Sequence, residues 1–126
     1  MEITKTELQI MEAVWKCAPC DAQQVITELN TQAEWHEKTA KTLLGRLVKK
    51  GALQYNKQGR SYIYSPLIAQ DEYRLKESES FVQRLFKGKL SPLVATFASR
   101  DKLTKQDVDE LKQIIKDWES NKENKE

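Results

Sequence analysis

At 126 residues, 39% hydrophobic and 32% charged, the chain has the size of one domain, or of a small domain with an appended element. No apolar run approaches the roughly 18–20 residues of a bilayer span, and Met1 to Gln9 lacks the basic and apolar regions of a secretory leader. A cytoplasmic protein without membrane association is therefore expected, and its net charge of +2 conceals strongly unequal segments.

In chain order, Thr4 and Glu7 match a capping box and predict a helix that buries Leu8, Met11 and Trp15, with Ile10 and Val14 beside them. Lys16 to Cys20, containing Pro19, breaks it. Asp21 and Gln24 form a second cap-like pair, followed by Ala22, Val25, Ile26 and Leu29 at i, i+3, i+4 and i+7. A polar connection, Asn30 to Glu37, leads into EKTAKTLLGRLVKKG, Glu37 to Gly51. Here Ala40, Leu43, Leu44, Leu47 and Val48 form one apolar stripe, while Lys38, Thr42, Gly45 and Lys49 point away from it, flanked by Lys41 and Arg46. Gly51 sits where a helix favours a terminating glycine.

An ordinary surface helix with solvated Lys and Arg would show the same periodicity. The charge distribution separates the two readings. Between His36 and Pro66 the basic residues Lys38, Lys41, Arg46, Lys49, Lys50, Lys57 and Arg60 face Glu37 alone, a net +6. Residues 1–35 carry two basic against six acidic side chains, a net −4, and residues 67–126 balance at twelve each. A basic helix inside one basic segment is the electrostatic footprint of a nucleic-acid reader. Cationic and hydroxyl side chains are also the types that reach phosphates and base edges in a major groove.

From Leu53 to Tyr64 apolar and polar residues alternate around Gly59, which predicts a β-hairpin packing through Leu53, Tyr55 and Ile63. Three short helices and a basic-tipped hairpin make a winged helix-turn-helix. Leu67 to Lys87 is helix-permissive, with Leu75, Val82, Leu85 and Phe86 on one side and Gly88 as its end; a short apolar piece, Pro92 to Ala98, follows. Thr104 and Asp107 cap a last helix whose Val108, Leu111, Ile115 and Trp118 step by 3, 4 and 3, the spacing of a coiled-coil seam. The polar end from Ser120 to Glu126 is expected to fray. The fold class is thus mainly α: residues 1–66 as a winged-helix DNA-binding domain and 67–126 as a helical dimerisation region. Burying Leu85, Phe86, Val108, Leu111, Ile115 and Trp118 against a second copy would satisfy a region with too few apolar partners of its own; packing back onto the N-terminal helices is the alternative.

For enzyme chemistry the chain offers one His, no nucleophile motif and no phosphate-binding loop, so catalysis is not expected. Cys17 and Cys20 form C-x-x-C, the spacing of a redox pair or half a zinc site. Zinc needs further ligands and His36 is the only histidine; Cys17 also lies near a helix C-terminus, where the dipole opposes a thiolate. No metal or cofactor is assigned. A thiol redox-responsive regulator using Cys17 and Cys20, and a winged-helix protein-interaction module without specific DNA binding, stand as alternatives.

The order of elements resembles the penicillinase-repressor family of bacterial transcription regulators, the BlaI/MecI/CopY group. ELQIMEAVW, KTAKTLLGRLVKKG, the hairpin ending SYIYSPL and the run FKGKLSPLVATFASRDKLTKQDVDELKQII carry the resemblance over nearly the whole chain. It implies a homodimeric repressor in which winged-helix domains bind two halves of a palindromic operator on double-stranded DNA and C-terminal helices hold the dimer. Lys38, Thr39, Lys41 and Thr42 then match the recognition positions, Lys41 standing where the family usually has Arg, and Arg60 matches a wing contact to phosphate. Two departures bear on regulation. The bond cut by an inactivating protease in penicillinase-type members is Asn-Phe, and the pair here is Thr96-Phe97; copper-type members carry C-terminal C-x-C pairs, and this chain has no cysteine after Cys20.

Overall fold

The computed structural model describes residues 2–125. Six helices and one hairpin follow in order: α1 (Lys5–Cys17), α2 (Ala22–Asn30), α3 (Glu37–Lys50), β1 (Leu53–Gln58), β2 (Ser61–Pro66), α4 (Gln70–Phe86), α5 (Leu90–Ser99) and α6 (Lys105–Lys125). The chain divides into two compact units, Met1–Lys76 and Glu77–Glu126. The first is the expected winged helix.

Both N-terminal caps form as read. Glu7 N–H donates to Thr4 Oγ1 at 3.1 Å and Thr4 N–H to Glu7 Oε1 at 2.9 Å, starting α1. Asp21 and Gln24 exchange the same pair of bonds at 2.8 and 2.9 Å, starting α2. Each box satisfies two donors that the first helical turn leaves unpaired. Gly51, at φ +83°, ends α3 in the left-handed conformation that costs a glycine little.

The core of the first unit joins Ile10, Met11 and Val14 of α1, Val25, Ile26 and Leu29 of α2, and Ala40, Leu43, Leu44 and Leu47 of α3, closed by Ala52, Leu53 and Tyr64. The stripe of α1 is rotated from the expected one: Ile10, Met11 and Val14 are buried, whereas Leu8 and Trp15 are half-buried at its edge. Trp15 keeps a polar task there, its Nε1–H donating to the Ile68 carbonyl at 3.0 Å, with its ring 5.8 Å from that of Tyr73. Through these contacts the first unit extends beyond residue 66, to Lys76.

The hairpin also differs from its expected packing. Leu53 is buried, but the register pairs Tyr55 with Tyr64 and Asn56 with Ile63, so Ile63 lies on the opposite face from Leu53 and Tyr55. Tyr64 fills the inward position, and Tyr55 stays exposed with its ring 4.5 Å from that of Tyr62. Tyr64 is inward because the hairpin has a further partner: Tyr64 N–H donates to the Cys20 carbonyl at 2.7 Å and Cys20 N–H to the Tyr64 carbonyl at 3.2 Å. The turn is the two-residue Gly59-Arg60, with positive φ at Gly59 alone, the II′ pattern that suits strand twist.

In the second unit, Pro92 to Ala98 lies within a helix, α5, with no buried residue. Thr104 and Asp107 exchange both bonds of a capping box at 3.0 Å, starting α6. That helix is continuous to Lys125, through the polar end that begins at Ser120; Glu126 lies outside the described residues.

Candidate nucleic-acid interface

Every polar side chain singled out on α3 faces outward. Lys38, Thr39, Lys41, Thr42, Arg46 and Lys49 are exposed, opposite a stripe that is buried at Ala40, Leu43, Leu44 and Leu47. The helix can therefore lie in a groove without disturbing the core that holds it. Lys38, Arg46, Lys49 and, at the hairpin turn, exposed Arg60 have no ion-pair partner among the described residues.

Two members of this face are already engaged. Thr42 Oγ1 donates to the Lys38 carbonyl at 2.9 Å, so its hydroxyl proton is used within the helix and its methyl and oxygen lone pairs remain to present outward. Lys41 Nζ lies 2.8 Å from Glu37 Oε1, one turn earlier. The hydrogen bond and charge of Lys41 hold the Glu37 carboxyl below its ordinary range, and Glu37 pushes the Lys41 ammonium up. Both groups are thus charged near neutrality.

An open cleft of about 470 Å³ brings Lys41 and Glu37 of α3 together with Arg60, Ser61, Tyr62 and Tyr64 of the hairpin and Asp21 before α2. A second, of about 660 Å³, runs along His36, Glu37, Lys38, Lys41 and Thr42. Thr39, Arg46 and Lys49 border neither. Of the expected recognition residues, Lys38, Lys41 and Thr42 thus share one side of the unit with the wing arginine, through Glu37 and Lys41, which border both clefts, whereas Thr39 is not brought to either.

Lys50, counted in the basic segment, turns inward instead. Its Nζ meets Glu7 Oε1 at 2.6 Å and the Glu2 carbonyl at 2.8 Å, beneath α1. Glu7 is fully buried, and Lys50, then the Thr4 N–H, keep its carboxyl low despite the desolvation that opposes this. No sequence signal reveals the pair, because the two residues are 43 positions apart. Tyr62 and Tyr64 were likewise missed as cleft residues, since alternation alone does not say which strand face closes on a helix.

The C-x-x-C thiols are free, Cys20 buried and Cys17 half-buried. Burial, followed by a hydrogen bond that the Cys20 thiol shares with the Cys17 sulfur as donor, pushes the Cys20 thiol up to about 12, so it stays protonated at neutral pH. Its backbone serves the hairpin.

In the second unit Leu85, Ile115 and Trp118 are 56–60% exposed, and Phe86, Val108 and Leu111 are half-buried. Thr96 and Phe97 lie in α5, where Thr96 Oγ1 donates to the Pro92 carbonyl at 2.8 Å and Phe97 is exposed.

A sequence profile described as penicillinase repressor matches residues 3–117. The chain belongs to the penicillinase repressor family. This family member is 36% identical over 121 residues, 96% of its own length and 94% of the relative's, to a penicillinase repressor of Bacillus licheniformis. It is 30% identical over 114 residues to the methicillin resistance regulatory protein MecI of Mammaliicoccus sciuri, covering 90% of this chain and 93% of that one. Two solved structures resemble it at 40% identity. The solution structure of the DNA-binding domain of the repressor BlaI gives a TM-score of 0.52 over 57% of this chain and 88% of that domain. The monomeric form of Bacillus licheniformis BlaI in complex with the blaP half-operator gives 0.50 over 58% and 89%. No helix of the penicillinase-repressor chain is long and apolar enough, among the described residues, to cross a membrane.

Proposed function

We propose that this protein is a sequence-specific transcriptional repressor that binds a palindromic operator in double-stranded DNA as a homodimer. One observation carries the reading: a helix buried along one side presents Lys38, Thr39, Lys41, Thr42, Arg46 and Lys49 along the other, next to a wing tipped by Arg60. α3 reads the major groove; Lys38, Thr39, Lys41 and Thr42 sit in its N-terminal turns, where base edges are reached, and Arg46, Lys49 and Arg60 bind phosphates. A half-operator complex of a 40% identical domain supports DNA as the ligand.

Dimerisation is assigned to the second unit. Leu85, Ile115 and Trp118, with Phe86, Val108 and Leu111, would be covered by the same residues of a second copy, so that two α3 helices meet successive half-sites. An inactivating protease is the partner proposed at Thr96-Phe97, and α5 would have to open locally before that bond could be cut.

Footprinting on the protein's own upstream region, followed by titration of variants, tests the assignment. Lys49→Ala should weaken cognate and scrambled DNA alike and reduce the salt slope by about one, whereas Thr42→Ala should lower discrimination by about 1–3 kcal/mol. Equal losses on both sequences for both variants would refute the division of roles. Truncation after Leu90 should leave a monomer with much weaker operator affinity, and undiminished affinity would remove the dimer.

A further inference from the structure

The DNA-reading helix α3 carries a single acidic side chain, which attraction to phosphate does not explain. Glu37 is the first residue of α3, where the positive end of the helix dipole tolerates a carboxylate, yet it points outward among Lys38, Lys41 and Thr42 and borders both clefts of that face. Its side chain and that of Lys41 are both more than half exposed, and they are joined at 2.8 Å. Against phosphates a carboxylate is only repulsive, because each side has acceptors and negative charge. Base edges differ: in the major groove the cytosine N4 amino group is a donor, and guanine O6 and N7 beside it are acceptors. A carboxylate and an ammonium held 2.8 Å apart match that alternation and mismatch a phosphate chain.

Resting on the reading of α3 as the DNA-reading helix, we propose that Glu37 is a specificity-determining residue. Its carboxylate accepts from the N4 amino group of a cytosine and keeps Lys41 over the base edges, away from the backbone. The lowered carboxyl of Glu37 is consistent with this, since only the ionised form accepts at both oxygens. Lys41 alone could contact any phosphate it reached; tied to Glu37 it is directed to bases, and DNA without the matching cytosine is opposed by an uncompensated charge.

The test is selection from a randomised duplex library by the full-length protein and by Glu37→Gln and Glu37→Ala, with affinities for one selected and one scrambled duplex measured over a range of salt. At one position in each half-site the wild type should prefer cytosine by roughly fivefold or more, and both variants should lose that preference, Glu37→Gln gaining adenine, whose edge suits an amide. Binding to scrambled DNA should strengthen by about three- to tenfold, and the salt slope should steepen by about 0.9 as Lys41 is released to a phosphate. Circular dichroism should show both variants folded. Base preferences unchanged in both variants overturn the proposal, whatever the scrambled affinity does. A wild type that enriches no sequence refutes instead the DNA-reading function on which the proposal rests.

Discussion

The two units of the chain solve the burial of apolar surface in opposite ways. In Met1–Lys76, side chains from three helices and a hairpin enclose one another, and Glu7, the one buried charged group among the described residues, has a cationic partner and a capping bond. In Glu77–Glu126, Val82 is the only buried side chain among the described residues, while Ile114, Ile115 and Trp118 stand along α6 with more than half their surface exposed. Apolar side chains at seam spacing thus do not make a core by themselves. The first unit closes because its helices cross around a common centre and the hairpin caps them. The second presents its apolar residues outward, which is the state from which a partner surface would gain the most burial.

That contrast can be broken most directly by truncating one side chain in each unit. Leu44→Ala should cost about 2–5 kcal/mol in urea denaturation, since Leu44 is fully enclosed and its removal leaves a cavity. Ile115→Ala should change the unfolding free energy at high dilution by less than about 0.5 kcal/mol, while raising the dissociation constant of the proposed dimer in sedimentation equilibrium. Comparable losses from both variants at high dilution would mean that the second unit has a core of its own.

A smaller effect is expected at the polar seam of the first unit. Lys50→Met leaves the Glu7 carboxylate buried with only the Thr4 N–H, and should cost about 2–3 kcal/mol, less than for a fully enclosed pair because Lys50 remains partly exposed. The pH dependence follows from the direction of the shift. Glu7 titrates below its ordinary value of 4.5 in the folded protein, so its contribution is fully present above that value and is lost as pH falls through the lower folded one. Wild-type protein should therefore lose stability steeply on acidification below about pH 4.5, and Lys50→Met should lose less over the same window. Parallel acid profiles would show that the pair contributes nothing specific.

The smallest effect is a gain. A Cβ built on Gly45 meets no atom within 4 Å, and the residue lies mid-helix on the exposed face of α3, so Gly45→Ala should stabilise the fold by about 0.5–1 kcal/mol. If the backbone there approaches DNA closely, operator affinity should fall as stability rises; unchanged affinity would leave Gly45 without a role in binding.

Much of the fold was legible because it depends on short-range chemistry. The three capping boxes, the stripe from Ala40 to Leu47 and the glycines at 51 and 59 each involve residues a few positions apart, so spacing and residue type sufficed to place the starts of α1, α2 and α6, the inward face of α3 and the hairpin turn. Errors arose where two inward faces were equally plausible in one dimension. Leu8 or Ile10 could have led the stripe of α1, and Tyr55 with Ile63 could not share a strand face once the register paired Tyr55 with Tyr64. The outward position of Lys38, Lys41 and Thr42 followed from the same periodicity that buried their neighbours. The engagement of Lys41 by Glu37 is an i, i+4 pair and was available to the same reasoning.

By itself, then, the sequence determined the elements other than α5, the three capping boxes, the polarity of α3 and a basic segment large enough to attract nucleic acid, all properties of neighbours along the chain. Tertiary structure decided the rest. It withdrew Lys50 from the basic face to meet Glu7, set Tyr64 against Cys20 so that the wing borders the Lys41 cleft, and left the α6 seam uncovered. Each of these depends on which distant surfaces meet, and a pairing of residues tens of positions apart leaves no periodic trace in the chain.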